Sequence, residues 1–455
     1  MDCTLSSKGK ESLVQVAVTY AQGLAERLYA SMTESGVALE GMEKEVVEEL
    51  HGFGNVLLSS LVGVRSEKYP VASVPCECGA AAAYQRKREG QCKTLLGTIR
   101  VKRAYYLCAQ CHRGSYPLDK QIGFCAGSIS AGLDELLALM GCQFSFAQSA
   151  AMVERLTLVA VSPNRCRRST ATLGQLVAEE EEQTRQEVWE QATLALPPVD
   201  KEVIDPLYIS ADGVMVHTRE SDWREQCVGA LYTAAPTARS TPSPRAEIRS
   251  AKISYTTELG SRAKFSQHLW LEAHRRGLQK AKTVVFIADG AQWLWEMAHD
   301  LFPEAIQILD WYHATAYLWA VAGEFHKEKQ AAQSWLNPYL AALAQSNLTF
   351  VLQQLQQLAA SSAAARSALT YFTNNQARMD YARYRQLNLQ IGSGTIESAC
   401  KHLIDARLKQ AGMRWNLENA RCLAKLRARC KSARWQETLA LRPLPSRSYA
   451  HALPH

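Results

Sequence analysis

The chain has 455 residues, of which 47% are apolar and 21% are charged, and its formal net charge is +7. This is an ordinary composition for a globular protein of several domains with a sizeable core. No apolar run approaches the roughly 18–20 residues of a membrane-spanning helix, and the N-terminus lacks the apolar segment of a secretory signal, so we expect a cytoplasmic protein.

Residues 1–70 are predicted to be helical, and the next segment, 71–125, contains two close pairs of cysteines separated by 29 residues. These cysteines are Cys76, Cys78, Cys108 and Cys111. Four thiolates in two pairs can close a tetrahedral zinc site. The alternating segment 96–106 predicts a strand leading into the second pair, which is the layout of a zinc ribbon. His112 could replace one thiolate, and in a chain with 13 cysteines the spacing could also be coincidental.

Residues 126–200 are predicted to form a helix-turn-helix-like DNA-binding domain followed by a linker. Ser162 and Pro163 supply the N-cap and the first-turn proline of the third helix. That helix begins with basic residues, as a recognition helix in the major groove does. The residues expected to contact DNA are Arg165, Arg167 and Arg168. Any small three-helix bundle would show the same pattern, and the acidic run 179–182 is interpreted as a solvated helix.

Strand patterns begin again after residue 201. Asp212 and Gly213 lie between two alternating apolar runs, which predicts a hairpin turn at this pair and gives Asp212 a structural explanation. A further run at 227–234 is the candidate third strand of a meander. Segment 235–250, rich in Pro, Ser, Thr and Arg, is predicted to be a mobile loop.

A continuous apolar run at 283–288 predicts a strand buried on both faces, and it ends at Asp289. In an open α/β sheet, ligands bind at this edge of the strands. A helix and a short strand then lead to Asp310 and His313. A histidine at such a strand-to-helix junction can equally be a structural residue, so both interpretations stay open.

Residues 314–373 are rich in Ala, Gln and Leu and predict an all-helical insertion, followed by the basic segment 374–435 and a loose tail at 436–455. From residue 374 to the end there are 15 Lys/Arg and 5 Asp/Glu, a balance of +10, against +7 for the whole chain. A basic C-terminal part on a slightly acidic body indicates an anionic partner, with nucleic acid the first candidate. A solvated helical face is the alternative.

Within this segment, residues 391–415 combine a Gly-Ser-Gly turn with a helix that is predicted to start near Thr395. Glu397 lies in the first turn of that helix, beside an apolar stripe, and is a candidate metal ligand. A negative charge is stabilised at any helix N-terminus, so Glu397 alone also has a structural explanation. The candidate DNA contacts on the exposed side are Lys401, Arg407, Lys409, Arg414 and Trp415.

Asp212, Asp289 and Glu397 follow one another in the order that a ribonuclease-H-like fold needs to bring three carboxylates together. Three such ligands suit two Mg²⁺ or Mn²⁺ ions about 3.5–4 Å apart, which act on a phosphodiester. The expected fold is therefore a multidomain α/β protein. Its ribonuclease-H-like catalytic core, a mixed sheet flanked by helices, comprises 201–313 and 374–435, with the helical insertion between them. A zinc ribbon and a helix-turn-helix-like domain precede it.

Five strings of the sequence carry a resemblance to a known family: SADGVMV, WREQCVG, IADGAQWLWE, ILDWYHA and IGSGTIESACKHLIDARLKQAGMRW. They resemble bacterial insertion-sequence transposases of the ISKra type, which belong to the wider Mutator-like group of DDE transposases. The likeness covers roughly residues 76–435, and the cysteine pairs and the PLD at 117–119 also match the family pattern. The catalytic residues that the resemblance implies are Asp212, Asp289, Glu397, Asp310 and His313.

The resemblance implies a DDE transposase that cleaves DNA at element ends and transfers the strands into target DNA. Two Mg²⁺ or Mn²⁺ ions per active site and one structural Zn²⁺ are the expected metals. The expected partners are double-stranded DNA, as terminal inverted repeats and as target, and further copies of the chain in a dimer or larger oligomer on DNA. The expected location is the bacterial nucleoid, with no membrane association. A domesticated, non-catalytic DNA-binding or regulatory protein and a structure-selective ribonuclease-H-like nuclease are the alternatives.

Overall fold

The computed structural model describes residues 7–33, 38–124, 127–190, 205–236, 248–443 and 449–450. As predicted, the fold is mixed α/β, with sheets and many helices. The predicted linker before residue 201 and most of the predicted loop 235–250 lie outside the described residues. Within those ranges, every helix is too short or too polar to cross a lipid bilayer.

The chain divides into two compact units, and the first comprises 1–173 and 439–455. Its strands are β1 (Ser73–Pro75), β2 (Ala81–Thr94), β3 (Gly97–Cys108), β4 (Arg113–Ser115), β5 (Ser128–Ile129) and β11 (Tyr449–Ala450). Its helices are α1 (Ser7–Met32), α2 (Leu39–Ser66), α3 (Pro117–Ile122), α4 (Ala131–Gln143), α5 (Phe146–Thr157) and the start of α6 (Pro163–Trp189). The sheet order is β1-β2-β3-β4-β11, with β5 beside β2.

In the first unit, strands β2 and β3 form a long antiparallel hairpin. Val62 of α2 packs with Ile99 and Val101 of β3 in a buried apolar cluster. Arg103 faces the same interior, where it is ion-paired with Asp119 of α3. The PLD sequence at 117–119 therefore holds α3 against the hairpin, and Arg103 is a structural cation.

Helices α4, α5 and the start of α6 form a three-helix bundle around buried apolar side chains, and three helices were predicted for this segment. The core residues include Leu133, Leu137, Ala150, Val153, Val159 and Cys166. Ser130 caps α4, and Ser145 with Gln148 forms a capping box at α5. Ser162 accepts a hydrogen bond from the N–H of Arg165 at the start of α6. These caps fix three short connections and explain why the helices begin where they do.

The second unit comprises residues 174–438 and contains a five-stranded mixed sheet. Its strands are β6 (Leu207–Thr218), β7 (Asp222–Pro236), β8 (Ile248–Leu259), β9 (Val284–Ala288) and β10 (Ile306–Leu309). The order across the sheet is β10-β9-β6-β7-β8. Strands β6, β7 and β8 are antiparallel, whereas β6, β9 and β10 are parallel.

The second unit contains further helices besides the end of α6. They are α7 (Arg262–Arg275), α8 (Gln292–Leu301), α9 (Trp311–Phe325), α10 (Lys329–Ala344), α11 (Leu348–Leu358), α12 (Ala363–Asn375), α13 (Tyr381–Gln386), α14 (Gly394–Ala399), α15 (Ala406–Leu408), α16 (Leu417–Lys431) and α17 (Trp435–Ala440). A 3₁₀ turn follows α12 at Gln376–Arg378, and a π-helical turn at Cys400–Asp405 joins α14 to α15. Helices α9 to α12 occupy the stretch that was predicted to be all-helical.

The predicted hairpin turn at Asp212-Gly213 is wrong. Strand β6 runs through both residues and is paired with β7 from Tyr208 to Thr218. A Cβ at Gly213 would lie 2.5 Å from a carboxylate oxygen of Glu225 on β7, so a larger residue here would displace the Glu225 side chain. Pairing along the whole strand therefore overrides the local Asp-Gly signal. The predicted 227–234 strand is the inner part of β7, and β8 already begins inside the predicted loop.

The acidic run 179–182 is helical, as predicted, and Glu179 is exposed, but the prediction of a solvated run is wrong for Glu181, whose side chain is largely buried. Lys425 of α16 is almost completely buried and lies 3.0 Å from Glu181 and 2.8 Å from Glu258. Arg429 bonds both Glu180 and Glu181. Many cations of the basic C-terminal segment therefore neutralise acids of the same unit. The charge balance alone does not require an anionic partner.

Candidate functional site

Three aspartates lie close to one another along neighbouring parallel strands of the second sheet: Asp212 within β6, Asp289 directly after β9, and Asp310 directly after β10. Ser210 of β6 pairs with Ile287 of β9, and two residues further along each strand come Asp212 and Asp289. Leu309 of β10 pairs with Ala288 of β9, so Asp310 follows opposite Asp289. The apolar residues of β9 are buried, as the sequence predicted for the strand before Asp289. The backbone register therefore brings these acids to one edge of the sheet.

Asp212 is half-buried within β6 and has two hydrogen-bond donors. The Gly213 N–H donates to its Oδ1 at 2.6 Å, and the Cys400 thiol donates to its Oδ2 at 3.7 Å. Burial raises the pKa of Asp212, and the negative charge of Asp289 raises it further. Sequence reasoning missed Cys400, although its position one helical turn after Glu397 is a signal that could have found it.

Asp289 is held by the turn that ends β9. Its Oδ1 accepts the Ala291 N–H at 3.0 Å, and its backbone carbonyl accepts the Tyr371 hydroxyl at 2.5 Å. The ring of Tyr371 covers Gly290, whose φ of +103° and close approach both require glycine. Tyr371 belongs to α12, so a helix of the predicted insertion supports the candidate catalytic turn. No local sequence signal links two residues 82 positions apart.

Asp310 is completely buried and organises the start of α9. Its Oδ1 accepts the His313 N–H at 2.5 Å and lies 3.1 Å from His313 Nδ1, and its Oδ2 accepts the Ser393 N–H. Burial alone would raise the pKa of Asp310, but these hydrogen bonds outweigh it and hold that pKa below its ordinary value. Asp310 therefore joins the end of β10 to the Gly-Ser-Gly turn.

His313 points from α9 toward the other acids and is partly exposed. Its Nδ1 lies 4.0 Å from Glu397 Oε1. The hydrogen bond with Asp310 raises the pKa of His313, and the charges of Asp289 and Glu397 act in the same direction. His313 is therefore held in place by Asp310, and its partly exposed ring lies near the carboxylates of Asp289 and Glu397.

Glu397 lies in the short helix α14, as predicted, and is half-buried. The Trp311 N–H donates to the Ile391 carbonyl at 2.9 Å, so the preceding turn is fixed to the start of α9. Ile396 and Ala399 are buried and anchor the helix. The Gly-Ser-Gly turn therefore sets the direction of Glu397, whose carboxylate reaches the edge of the sheet occupied by Asp310 and His313.

The sequence predicted Mg²⁺ or Mn²⁺ at this site, so the positions of the carboxylate and imidazole donor atoms matter. Within the described part of the chain, Asp310, His313 and Glu397 form a group whose ligand atoms lie within 4.8 Å of one another. Asp212 and Asp289 are electrostatic neighbours of this group but are not part of that close set. Asp310 and Glu397 offer the carboxylate oxygens that Mg²⁺ and Mn²⁺ prefer, and His313 offers an imidazole nitrogen, so the close group can bind a metal ion without selecting one.

The cysteine pairs come together in the first unit, as the sequence predicted. The Sγ atoms of Cys76 and Cys111 lie 3.5 Å apart, and those of Cys78 and Cys108 lie 3.6 Å apart. All four sulfurs lie within 4.8 Å of one another, and His112 is outside this described group. The N–H groups of Cys111 and Gln110 lower the pKa of the Cys108 thiol. Four sulfurs at these separations can bind a metal such as zinc in tetrahedral geometry.

The predicted DNA contacts after Glu397 fall into two classes. Lys401, Lys409 and Arg414 are exposed. Arg407 is completely buried, with its guanidinium carbon 5.0 Å from the centre of the Trp415 ring, so its predicted place on the exposed side is wrong. The pattern of apolar residues in this segment did not indicate that the Arg407 side chain is buried against the Trp415 ring.

Trp415 is half-buried and has structural bonds at both its backbone and its side chain. Its indole N–H donates to the Leu408 carbonyl at 2.9 Å, and its backbone N–H donates to the His217 carbonyl at 3.1 Å. These bonds fasten the segment after α15 to the end of β6. In the first unit, Arg167 and Arg168 are exposed and Arg165 is half-buried.

Comparison with known proteins gives one family-level result. The sequence model of the uncharacterised protein family UPF0236 matches residues 32–438. A comparison with curated proteins finds no match. The family match covers both the cysteine cluster and the carboxylates at the sheet edge.

Proposed function

The chain belongs to family UPF0236, a family associated with transposase-like proteins, and we propose that it is a DDE transposase of a bacterial insertion sequence. One observation carries the proposal: Asp212 and Asp289 stand at the same level of two parallel strands, and Glu397 approaches the same edge from α14. This edge can hold ions beside a DNA strand.

The order of the elements supports a ribonuclease-H-like core. An antiparallel set, β6 to β8, is followed by the parallel strands β9 and β10, and helices α9 to α12 precede the helix with Glu397. This is the succession expected when a helical insertion separates the second and third acids of the triad. The cysteine cluster then corresponds to a zinc ribbon, and the bundle of α4 to α6 to a helix-turn-helix.

The proposed reaction is cleavage of a phosphodiester at each element end, followed by attack of the freed 3′-hydroxyl on target DNA. Asp212, Asp289 and Glu397 would hold two Mg²⁺ or Mn²⁺ ions, and such ions would supply activation of the attacking oxygen and charge stabilisation of the leaving oxygen. Buried Asp310 positions His313 and the turn before Glu397. His313, partly exposed beside Glu397, faces the place of the scissile phosphate and can donate a hydrogen bond to one of its oxygens.

The experiment that tests this function supplies the purified chain with Mg²⁺ and linear DNA carrying the sequences that flank its gene. A transposase nicks these ends at fixed positions and joins the 3′-ends to a second DNA. Because two ends must react together, the active form is proposed to be a dimer or larger oligomer on DNA. Joined products that depend on the flanking sequence would support the proposal.

Two other outcomes would assign other functions. A domesticated DNA-binding protein would bind DNA but give no metal-dependent nick. A structure-selective nuclease would cut branched or hybrid substrates without joining strands and without preference for the flanking sequence. Either outcome, with the wild-type chain folded and loaded with metal, would contradict the proposal.

A further inference from the structure

A cleft of about 600 Å³ lies within the first unit, between the β2–β3 hairpin and the start of α6. Its polar lining consists of Gln91, Lys93, Thr98, Ser128, Ser162 and Arg165. Among the described residues that line the cleft, two side chains are cationic, three carry hydroxyl groups, and none carries a carboxylate. Such a surface offers hydrogen-bond donors and positive charge to an anion. We refer to it as the hairpin cleft.

The two walls of the hairpin cleft are held together by specific bonds. Strand β5 pairs with β2 through Cys92 and Lys93 and leads directly into α4. The Ser130 N–H donates to the Lys93 carbonyl at 2.8 Å, and the Lys93 ammonium donates to the Ala160 carbonyl at 2.8 Å. The hairpin and the bundle therefore present a preformed cleft, with the Lys93 charge fixed between them.

The positive charge continues from the cleft along the outer face of the hairpin. Thr98, Arg100 and Lys102 alternate along β3 and are exposed on one face, at steps of about 6.8 Å. Glu89 of β2 pairs with Lys102 and adds an acid to this face. A free inorganic anion would use one position of such a row, whereas a nucleic-acid backbone can contact several, since each strand carries a charge every 3.4 Å or so of helix axis.

We propose that the hairpin cleft holds the phosphodiester backbone of double-stranded DNA, with Lys93 and Arg165 as the phosphate contacts. Exposed Arg167 and Arg168 follow Arg165 on α6, so a backbone in the cleft places the start of this helix beside a groove of the duplex. The inference deepens the proposed function, on which it rests for the identity of the ligand. It adds the hairpin to the DNA-contacting surface and makes Lys93 part of it.

The test measures binding of the full-length chain, carrying Asp212→Asn to keep the DNA intact, to a duplex from the region flanking its gene. The Lys93→Gln/Arg165→Gln double variant is compared with Arg155→Gln, which removes an exposed cation of α5 in the same bundle. We expect the double variant to bind at least about tenfold more weakly, because two charge-assisted hydrogen bonds are lost. The slope of log affinity against log salt should fall by about two. Zinc content and thermal unfolding report whether each variant is folded.

The same experiment can overturn the inference. Equal affinity and equal salt slope for the folded double variant and Arg155→Gln would exclude the cleft as a DNA site. Displacement of the duplex by inorganic phosphate or by single-stranded DNA, at equal phosphate concentration, would exclude the duplex as its ligand. Cleavage by the chain with Asp212 intact is measured in parallel. Cleavage with normal binding by the double variant refutes only the cleft, whereas cleft-dependent binding without cleavage refutes the proposed transposase.

Discussion

Asp212 and Asp289 each stand two residues beyond Ser210 and Ile287, the last pair that joins the parallel strands β6 and β9. Neighbouring strands are about 4.8 Å apart, so the sheet itself sets the spacing of the two backbones. Asp310 continues the same row on β10 but is turned inward to bond His313 and Ser393. The row therefore contains two acids directed to the candidate reaction site and one that positions its neighbours.

The cysteine cluster predicts one tightly bound zinc ion per chain. Cys108→Ala should lose this zinc, because three sulfurs cannot close the four-ligand site, and it should lower the thermal stability of the first unit. Elemental analysis of the purified protein measures the metal. Cys92→Ala is the matched control, since Cys92 is a buried cysteine of the same hairpin outside the cluster. Unchanged zinc in Cys108→Ala would contradict the assignment.

Tyr371→Phe should separate stability from activity. The variant loses the hydrogen bond to the Asp289 carbonyl, at a cost of about 1 kcal/mol in the free energy of unfolding. Because this bond positions the turn with Asp289, we expect the rate of DNA cleavage to fall about tenfold. Tyr384→Phe is the control, since Tyr384 also donates to a backbone carbonyl, that of Gln307. It should lose similar stability and keep its cleavage rate, and equal rates for the two variants would refute this role of Tyr371.

Acid should destabilise the second unit through the carboxylates around Lys425. Lys425 and Arg429 outweigh burial and lower the pKa of Glu181 to about 2, and Lys425 and His268 do the same for Glu258. These depressed values stabilise the fold fully above the ordinary glutamate pKa of 4.5, and the stabilisation is lost as pH falls from there towards 2. Unfolding measured against pH should show this loss.

The same cluster predicts the effect of removing its cation. Lys425→Met should cost about 3–5 kcal/mol at neutral pH, because two carboxylates are left without their buried partner. Lys409→Met, which breaks the more exposed pair with Asp405, should cost less than about 1 kcal/mol. Denaturant unfolding measures both. Equal stability of the two variants would contradict the assigned role of Lys425.

Arg407 and Lys401 are expected to respond differently to substitution, although they lie in the same basic segment. Arg407→Leu removes a buried guanidinium that stacks on Trp415 and should cost about 1–3 kcal/mol of stability. Lys401→Gln should leave stability unchanged and weaken DNA binding, because its side chain is exposed. Thermal unfolding and DNA affinity, measured on both variants, check this. A loss of DNA affinity without loss of stability in Arg407→Leu would contradict its structural role.

Local patterns in the sequence were enough to predict several parts of the site. The apolar run before Asp289 predicted a buried strand, and the helix with Glu397 and the cysteine pairs were recognisable from composition and spacing. The strand and the helix each depend on residues within one element, and each cysteine pair depends on residues within one turn. Their physical basis, burial of an apolar run or closure of a metal site, is visible in the residues themselves.

Features that depend on distant parts of the chain could not be predicted in this way. Asp212-Gly213 has the sequence of a turn, but pairing with β7 and β9 makes it the middle of a strand. The acidic partners of Lys425 lie in α6 and β8. A count of charges along the C-terminal segment does not include these partners, so it predicted a free basic surface where the folded chain has an internal ion-pair cluster. The bond from Tyr371 to the Asp289 turn likewise joins elements that only the folded chain brings together.

Cleavage of flanking DNA by Glu397→Gln tests the central claim most directly. With Mg²⁺ present, this variant should bind the DNA as tightly as the wild type but cleave it about a thousandfold more slowly or worse, because an ion ligand is lost. Asp212→Asn should behave in the same way. Glu304→Gln, an exposed glutamate of the same unit, should keep the wild-type rate. Metal-dependent cleavage by Glu397→Gln at the rate of Glu304→Gln would contradict the account.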